Sequence, residues 1–146
     1  KMFSEMTDQE MDVRVADCLK RVMLDGHGDK FTGELSGGMQ KRVGIARAIS
    51  MNPKYLFCDE PNSGLDPQTA IVIDNLIIDI TREYEMTTVV VSHDMNSMIE
   101  ASDTIHFIHE GEIAFEGDNN EMMVSQSETL NEFIYASKLM QKLRDR

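Results

Sequence analysis

Two short apolar runs with a helical stripe between them constrain this chain more than anything else in it. Residues 55–58 read Tyr-Leu-Phe-Cys and residues 87–91 read Thr-Thr-Val-Val-Val. Brief runs of aromatic and β-branched residues suit strands, and the unbroken apolar character of the first predicts burial on both faces. Between them Asp66 and Pro67 supply an N-cap and a first-turn proline, and Ile73, Leu76, Ile77, Ile80 and Tyr84 recur on one helical face. Strands alternating with helices predict an α/β class with a largely parallel sheet. Ligands of such sheets collect at the carboxyl ends of the strands. Here those ends carry Asp59-Glu60 and Ser92-His93-Asp94.

The flanking sequence supplies more helices. Thr7-Asp8-Gln9-Glu10 matches a capping box, and Met11, Val15, Leu19 and Val22 follow at helical spacing, so a first helix is expected to run to about Leu24. Gly26, Gly28 and Gly33 break the pattern. The loop with Ser36-Gly37-Gly38 then opens a second helix with Met39, Val43, Ala46 and Ile49 on one face, ended by Asn52-Pro53. After the second strand, Met95, Met98 and Ile99 predict a short helix, and residues 104–115 a hairpin turning at Glu110-Gly111. Ser125 and Glu128 are expected to cap a last helix with Leu130, Phe133, Ile134 and Leu143 on its apolar face.

Charge and composition exclude several functions. With 14 basic against 26 acidic residues, a formal net charge of −12 argues against a surface that neutralises a nucleic-acid backbone, although it leaves room for local basic clusters. Cys18 and Cys58 form no CxxC pair and lie in apolar stretches, which fits small buried hydrophobes in a reducing compartment. No apolar run approaches the length of a membrane span, and Lys1-Met2-Phe3-Ser4-Glu5 lacks the apolar core of a signal peptide, so a cytoplasmic location is expected. His106 and His109, near Glu110 and Glu112, suggest a metal cluster at first sight. Strand alternation sends the two histidines to opposite faces, which argues against it. The 12 methionines read as core filler, with Met122 and Met123 as candidates for an adaptable partner surface. Lys41, Arg42 and Arg47 read as a solvated helix face or as packing on a coupling surface.

The chemistry concentrates in three places. At the Ser36 loop, the first helical turn offers unpaired N–H groups and a positive dipole end, glycines let an anion approach, and the serine adds a hydroxyl. At the first strand end, consecutive carboxylates on an extended chain point different ways, so Asp59 can hold a magnesium ion while Glu60 aims at an attacking water. At the second, a neutral His93 imidazole can hydrogen-bond a phosphate or that water. Gly33 and Gly38 have the spacing of the glycines in GxxxxGK[ST], but Met39 and Gln40 follow and no strand precedes, so this is not a P-loop.

These residues together resemble a family. Leu35-Ser36-Gly37-Gly38-Met39-Gln40 is similar to the signature motif of ABC-type ATPases, residues 55–60 to their Walker B strand, Ser63-Gly64-Leu65-Asp66 to their D-loop and His93 to their switch histidine. The resemblance covers nearly the whole chain and implies the C-terminal portion of a nucleotide-binding subunit, without Walker A, Q-loop or adenine-stacking aromatic. The implied fold is P-loop NTPase-like: residues 1–42 in a helical subdomain ending in the signature motif, 43–117 in the ATPase core and 118–146 as a helical tail. It implies ATP and Mg²⁺ as cofactors and a head-to-tail dimer in which Ser36, Gly37 and Gly38 contact the γ-phosphate of ATP held by the partner subunit. Asp59 would then hold Mg²⁺ through water, Glu60 act as general base, His93 sense the γ-phosphate, and Asp66 couple the two sites. Met39 stands where the commoner signature has glutamine, so no ligand role is carried over to Gln40.

Within that family, residues 35–49, 61–67 and 133–137 resemble ATPases of Mla-type phospholipid transporters of Bacteroides-like bacteria. That implies an integral-membrane permease as partner, no nucleic acid, and a peripheral position on the inner membrane. The alternatives are an ABC-type ATPase working without a transporter, in repair, translation or iron–sulfur assembly, or an interaction module. The resemblance further implies that the chain alone turns over little ATP and bares an apolar sheet edge through which it self-associates.

Overall fold

The computed structural model describes residues 6–144, and the side chains of all of these except Asn96, Glu100 and 137–144. Lys1 to Glu5 and the side chain of Leu143, both used in the sequence analysis, lie outside the described residues. The chain divides into two compact units at Val91/Ser92.

In the first unit, helix α1 (Asp8–Arg21) starts from the expected capping box. Thr7 Oγ1 accepts from the Glu10 amide at 3.3 Å, and the Glu10 carboxylate accepts from the Thr7 amide at 2.7 Å. It ends sooner than expected, because Met23 turns left-handed (φ 56°) and the Leu24 amide reaches back to the Leu19 carbonyl at 2.8 Å. That closure buries Val22 and Leu24 almost completely. Helix α2 (Gly37–Ile49) follows, then strand β1 (Tyr55–Asp59), helix α3 (Pro67–Glu83) and strand β2 (Thr87–Val91). The two strands pair in parallel, Tyr55 opposite Thr87 and Asp59 opposite Val91.

One core serves this unit: Cys18, Val22 and Leu24 meet Ile45, Ala46 and Ile49 of α2, Leu56 of β1, and Ile73, Leu76, Ile77 and Ile80 of α3. Each fully buried leucine or isoleucine contributes about 1.5–3 kcal/mol. The expectation that β1 is buried on both faces fails. Leu56 is buried, but Tyr55 is 63% and Phe57 74% exposed. The three helices all feed the core on the Leu56 side, and no other element of this unit is described on the opposite face. In-register pairing extends that face to Val89 and Val91, also exposed.

The second unit holds helix α4 (Met95–Ala101), strands β3 (Ile105–His109) and β4 (Glu112–Gly117), and helices α5 (Asn119–Val124) and α6 (Glu128–Arg144). β3 and β4 form the expected hairpin, with left-handed Glu110 (φ 50°) and Gly111 (φ 82°) at the turn. Helix α5 was not expected from the polar stretch after Gly117; Asp118 caps it by accepting from the Asn120 and Glu121 amides. The expected capping role of Ser125 belongs instead to Ser127, whose Oγ accepts from the Leu130 amide at 3.4 Å. Ser125 Oγ accepts from the Ser127 amide in the preceding turn. Met95, Ile105, Met122, Leu130 and Ile134 form this unit's core. Met123, by contrast, is exposed. Among the described residues no helix is long and apolar enough to cross a membrane.

Candidate functional site

Ser36 is the N-cap of α2. Its Oγ accepts from the Met39 amide at 3.3 Å, which leaves its hydroxyl proton to donate to an anion. The following N–H groups of Gly37 and Gly38 belong to the first turn, where no helical carbonyl precedes them. The two glycines answer to different demands. Gly37 is exposed at the mouth of the turn, whereas Gly38 is buried, and a Cβ there would lie 2.5 Å from Cγ2 of Thr69 on α3. Anion access explains the first; the second is held to glycine by the close approach of α2 to α3.

The next three side chains bind backbone carbonyls. Gln40 Nε2 donates to the carbonyls of Leu35 at 3.0 Å and Thr32 at 3.2 Å, fixing the loop before Ser36. Lys41 Nζ donates to the Glu60 carbonyl at 3.0 Å, and Arg42 to those of Met23 at 3.1 Å and Val22 at 3.4 Å. Lys41 and Arg42 are therefore half-buried ties rather than a solvated face, while Arg47 is exposed. Sequence reasoning missed them because their acceptors are main-chain atoms 19 and 20 residues away.

Asp59 is exposed at the carboxyl end of β1, and Glu60 is half-buried just beyond it. The expected extended alternation does not apply to this pair. Glu60 is left-handed (φ 46°), a conformation that costs a non-glycine residue about 1–2 kcal/mol. It is held there from both sides: its amide donates to the Val91 carbonyl at 2.9 Å, and its carbonyl accepts from Lys41 and from the Ser63 amide at 3.2 Å. The turn that starts there is pinned by Asn62, whose buried amide lies 3.3 Å from both carboxylate oxygens of Asp74 on α3.

Asp66 caps α3, accepting from the Thr69 amide at 3.0 Å and the Thr69 hydroxyl at 2.6 Å. That hydroxyl, then that amide, hold its carboxyl below the usual range for aspartate. Thr69 thus presents its hydroxyl to the cap of α3 and its methyl to Gly38, so the first turns of α2 and α3 abut. In the first unit Ser36, Gly37, Gly38 and Asp66 thus lie at two adjoining helix starts, and Lys41 links the first of these helices to Glu60, which follows Asp59 at the strand end. His93 belongs to the second unit, exposed in the turn before α4, where the Asp94 amide donates to Ser92 Oγ at 3.1 Å.

The donor chemistry fits the implied cofactors. A magnesium ion usually takes one or two carboxylates and keeps its waters and a substrate's phosphate oxygens. An exposed Asp59 carboxylate at a strand end suits that role, and a helix start with a free serine proton suits a phosphate. In the second unit His106 lies 3.8 Å from Glu116 and His109 4.0 Å from Glu110, each in a separate pair. Burial pushes both the Cys18 and the Cys58 thiols up.

Residues 1–63 match the ABC transporter family model. Over that stretch the chain is similar to ABC transporter ATP-binding domains. It is 40% identical over 131 residues to methionine import ATP-binding protein MetN 1 of Pseudomonas putida, covering 89% of this chain and 39% of that protein. It is 40% identical over 126 residues to methionine import ATP-binding protein MetN of Desulfitobacterium hafniense, covering 86% and 37%. Among solved structures, an ATP-binding cassette of an ABC transporter in its ADP conformation superposes with a TM-score of 0.78 at 28% identity, covering 89% of this chain and 52% of that one. A dimeric cassette in a post-hydrolysis state with ADP and Pi gives 0.68 at 34% identity, covering 77% and 49%. The chain spans 39% of the length of the Pseudomonas putida relative and 52% of the first of these cassettes. Its fold is the P-loop NTPase fold of those cassettes, represented in part.

Proposed function

We propose that the chain supplies the phosphate-capturing and water-activating half of an ATPase that drives a transporter. The observation that carries this reading is the contact of Gly38 with Thr69, which sets the Ser36 loop against the helix capped by Asp66, while Lys41 ties the same loop's helix to Glu60. In this reading Ser36 and the N–H groups of Gly37 and Gly38 bind the γ-phosphate of ATP held by a second subunit. Glu60 takes a proton from the attacking water at a carboxylate oxygen, His93 hydrogen-bonds the γ-phosphate, and Asp66 conveys the state of one site to the other. Asp59 would hold Mg²⁺ through water; the ion would neutralise phosphate charge. The helical subdomain would include residues 1–42, and an integral-membrane permease would bring the protein to the inner membrane.

The relatives named above are methionine import proteins, which supports transport over the non-transport alternatives. They lend no support to a phospholipid cargo, which rests on the resemblance of residues 35–49, 61–67 and 133–137. Cargo is touched by the membrane partner, so stimulation of the reconstituted ATPase by methionine or by phospholipid separates the two. The central test is ATP turnover by the full-length protein assembled with its permease. Glu60→Gln is expected to lower kcat roughly 100-fold or more. Turnover within a few-fold of the parent would remove Glu60 from the chemistry and the reading with it.

A further inference from the structure

Lys41 lies in the second turn of α2, in the half of the helix whose dipole does not favour a cation. It is also half-buried, so part of its hydration is lost. What compensates is one main-chain oxygen, the carbonyl of Glu60 at 3.0 Å, in a charge-assisted hydrogen bond. The acceptor is the residue whose left-handed φ of 46° turns the chain out of β1.

We propose that Lys41 is a positioning residue for the Glu60 carboxylate. The two peptide planes that flank the Glu60 Cα set the direction of its Cα–Cβ bond. Among the contacts described, the amide on the Val91 carbonyl holds the first plane, and the carbonyl on the Ser63 amide and on Lys41 holds the second. Two of these are contacts with backbone atoms of β2 and of the turn itself. Lys41 alone comes from α2, where Ser36 sits at the N-cap. Lys41 therefore gives the helix on which a phosphate would sit a direct side-chain tie to the Glu60 backbone. The other polar residues of this stretch face elsewhere, Gln40 toward Leu35 and Arg42 toward Met23. The inference deepens the proposed function and rests on Glu60 acting as the base.

The test uses the full-length protein assembled with its permease and compares Lys41→Met with Lys41→Arg. Methionine keeps the aliphatic stem and removes the donor; arginine restores a donor. The methionine variant is expected to lower kcat about 10-fold with KM for ATP unchanged, and arginine to recover most of the loss. Hydrogen exchange at the Ser63 amide, which shares the Glu60 carbonyl, should quicken in the methionine variant and revert in the arginine one. A methionine variant with the parent's kcat, or equal losses in both variants, would overturn the proposal. Glu60→Gln is run alongside: retained turnover there refutes the base assignment itself, whereas its loss together with an indifferent Lys41 refutes only the positioning role.

Discussion

The two units of this chain are held in shape by different means. In the first, side chains reach far along the sequence to main-chain carbonyls: Arg14 to Ile49 and Ser50, Lys41 to Glu60, Arg42 to Val22 and Met23. In the second, the polar contacts described are mostly local caps, such as Asp118 on its own helix and Ser127 on Leu130, with Asn119 to the Ile99 carbonyl as the long reach. The difference shows where backbone geometry is under demand. Loops that must offer N–H groups and a carboxylate in fixed directions are tied by charged donors. A hairpin packed on methionine and leucine needs only its turns and caps.

That contrast can be broken at the point of closest packing. Gly38→Ala sets a methyl 2.5 Å from the Thr69 methyl and is expected to cost about 1–3 kcal/mol in urea unfolding. Thr69→Ser in the same protein removes the opposing methyl, keeps the hydroxyl on Asp66, and should restore most of the loss. If the double variant is no better than Gly38→Ala, the contact is not what holds position 38 to glycine.

The long ties come next. Arg14→Met removes donors from the carbonyls of Ile49 and Ser50, and from Asn52, at the end of α2. It is expected to lower stability by about 2 kcal/mol, since hydrogen bonds to charged groups contribute about 1.5–3 kcal/mol. Asp118→Ala removes a local cap in the second unit and should cost about 1 kcal/mol. Urea midpoints that reverse this order would erase the distinction between the units.

The smallest effect is a pH dependence. The folded-state pKa of Asp66 lies below its ordinary value, so the unfolded chain binds its proton first as pH falls. The stabilisation is present above the ordinary aspartate range near pH 4 and is lost as pH drops through the lowered value. Asp66→Asn keeps a good N-cap without titrating, so its stability profile should be flatter below pH 4 than the parent's. Parallel acid limbs would show that the carboxylate contributes nothing beyond its shape.

What was legible in the sequence was local. The Thr7 box, the Asp66 cap, Pro67 at a first turn and the Glu110-Gly111 hairpin each announce themselves within four residues, because caps and turns are satisfied by near neighbours. Helix α5 carried the same kind of signal, Asp118 with Glu121, and was passed over because its surroundings are polar. The nonlocal features were hidden. An apolar run such as 55–58 does not say which face finds a partner, and Leu56 alone of Tyr55, Leu56 and Phe57 did. Glu60 reads as the next strand residue until its φ is known, and Lys41 and Arg42 read as solvated because a carbonyl acceptor leaves no mark on the sequence. At the candidate site, Asp66 was evident as a cap and Ser36 as a hydroxyl in a loop that opens a helix, whereas the demand that makes residue 38 a glycine lay in Thr69, 31 positions on.

The bare stripe of Tyr55, Phe57, Val89 and Val91 also bears on how this polypeptide behaves at the bench. Environment-sensitive fluorophores such as ANS report apolar surface of any origin, and here such surface exists before any melting. A bright signal from a freshly purified sample would be the signature of an intact native state, and dye-based melting curves would begin high and lose contrast.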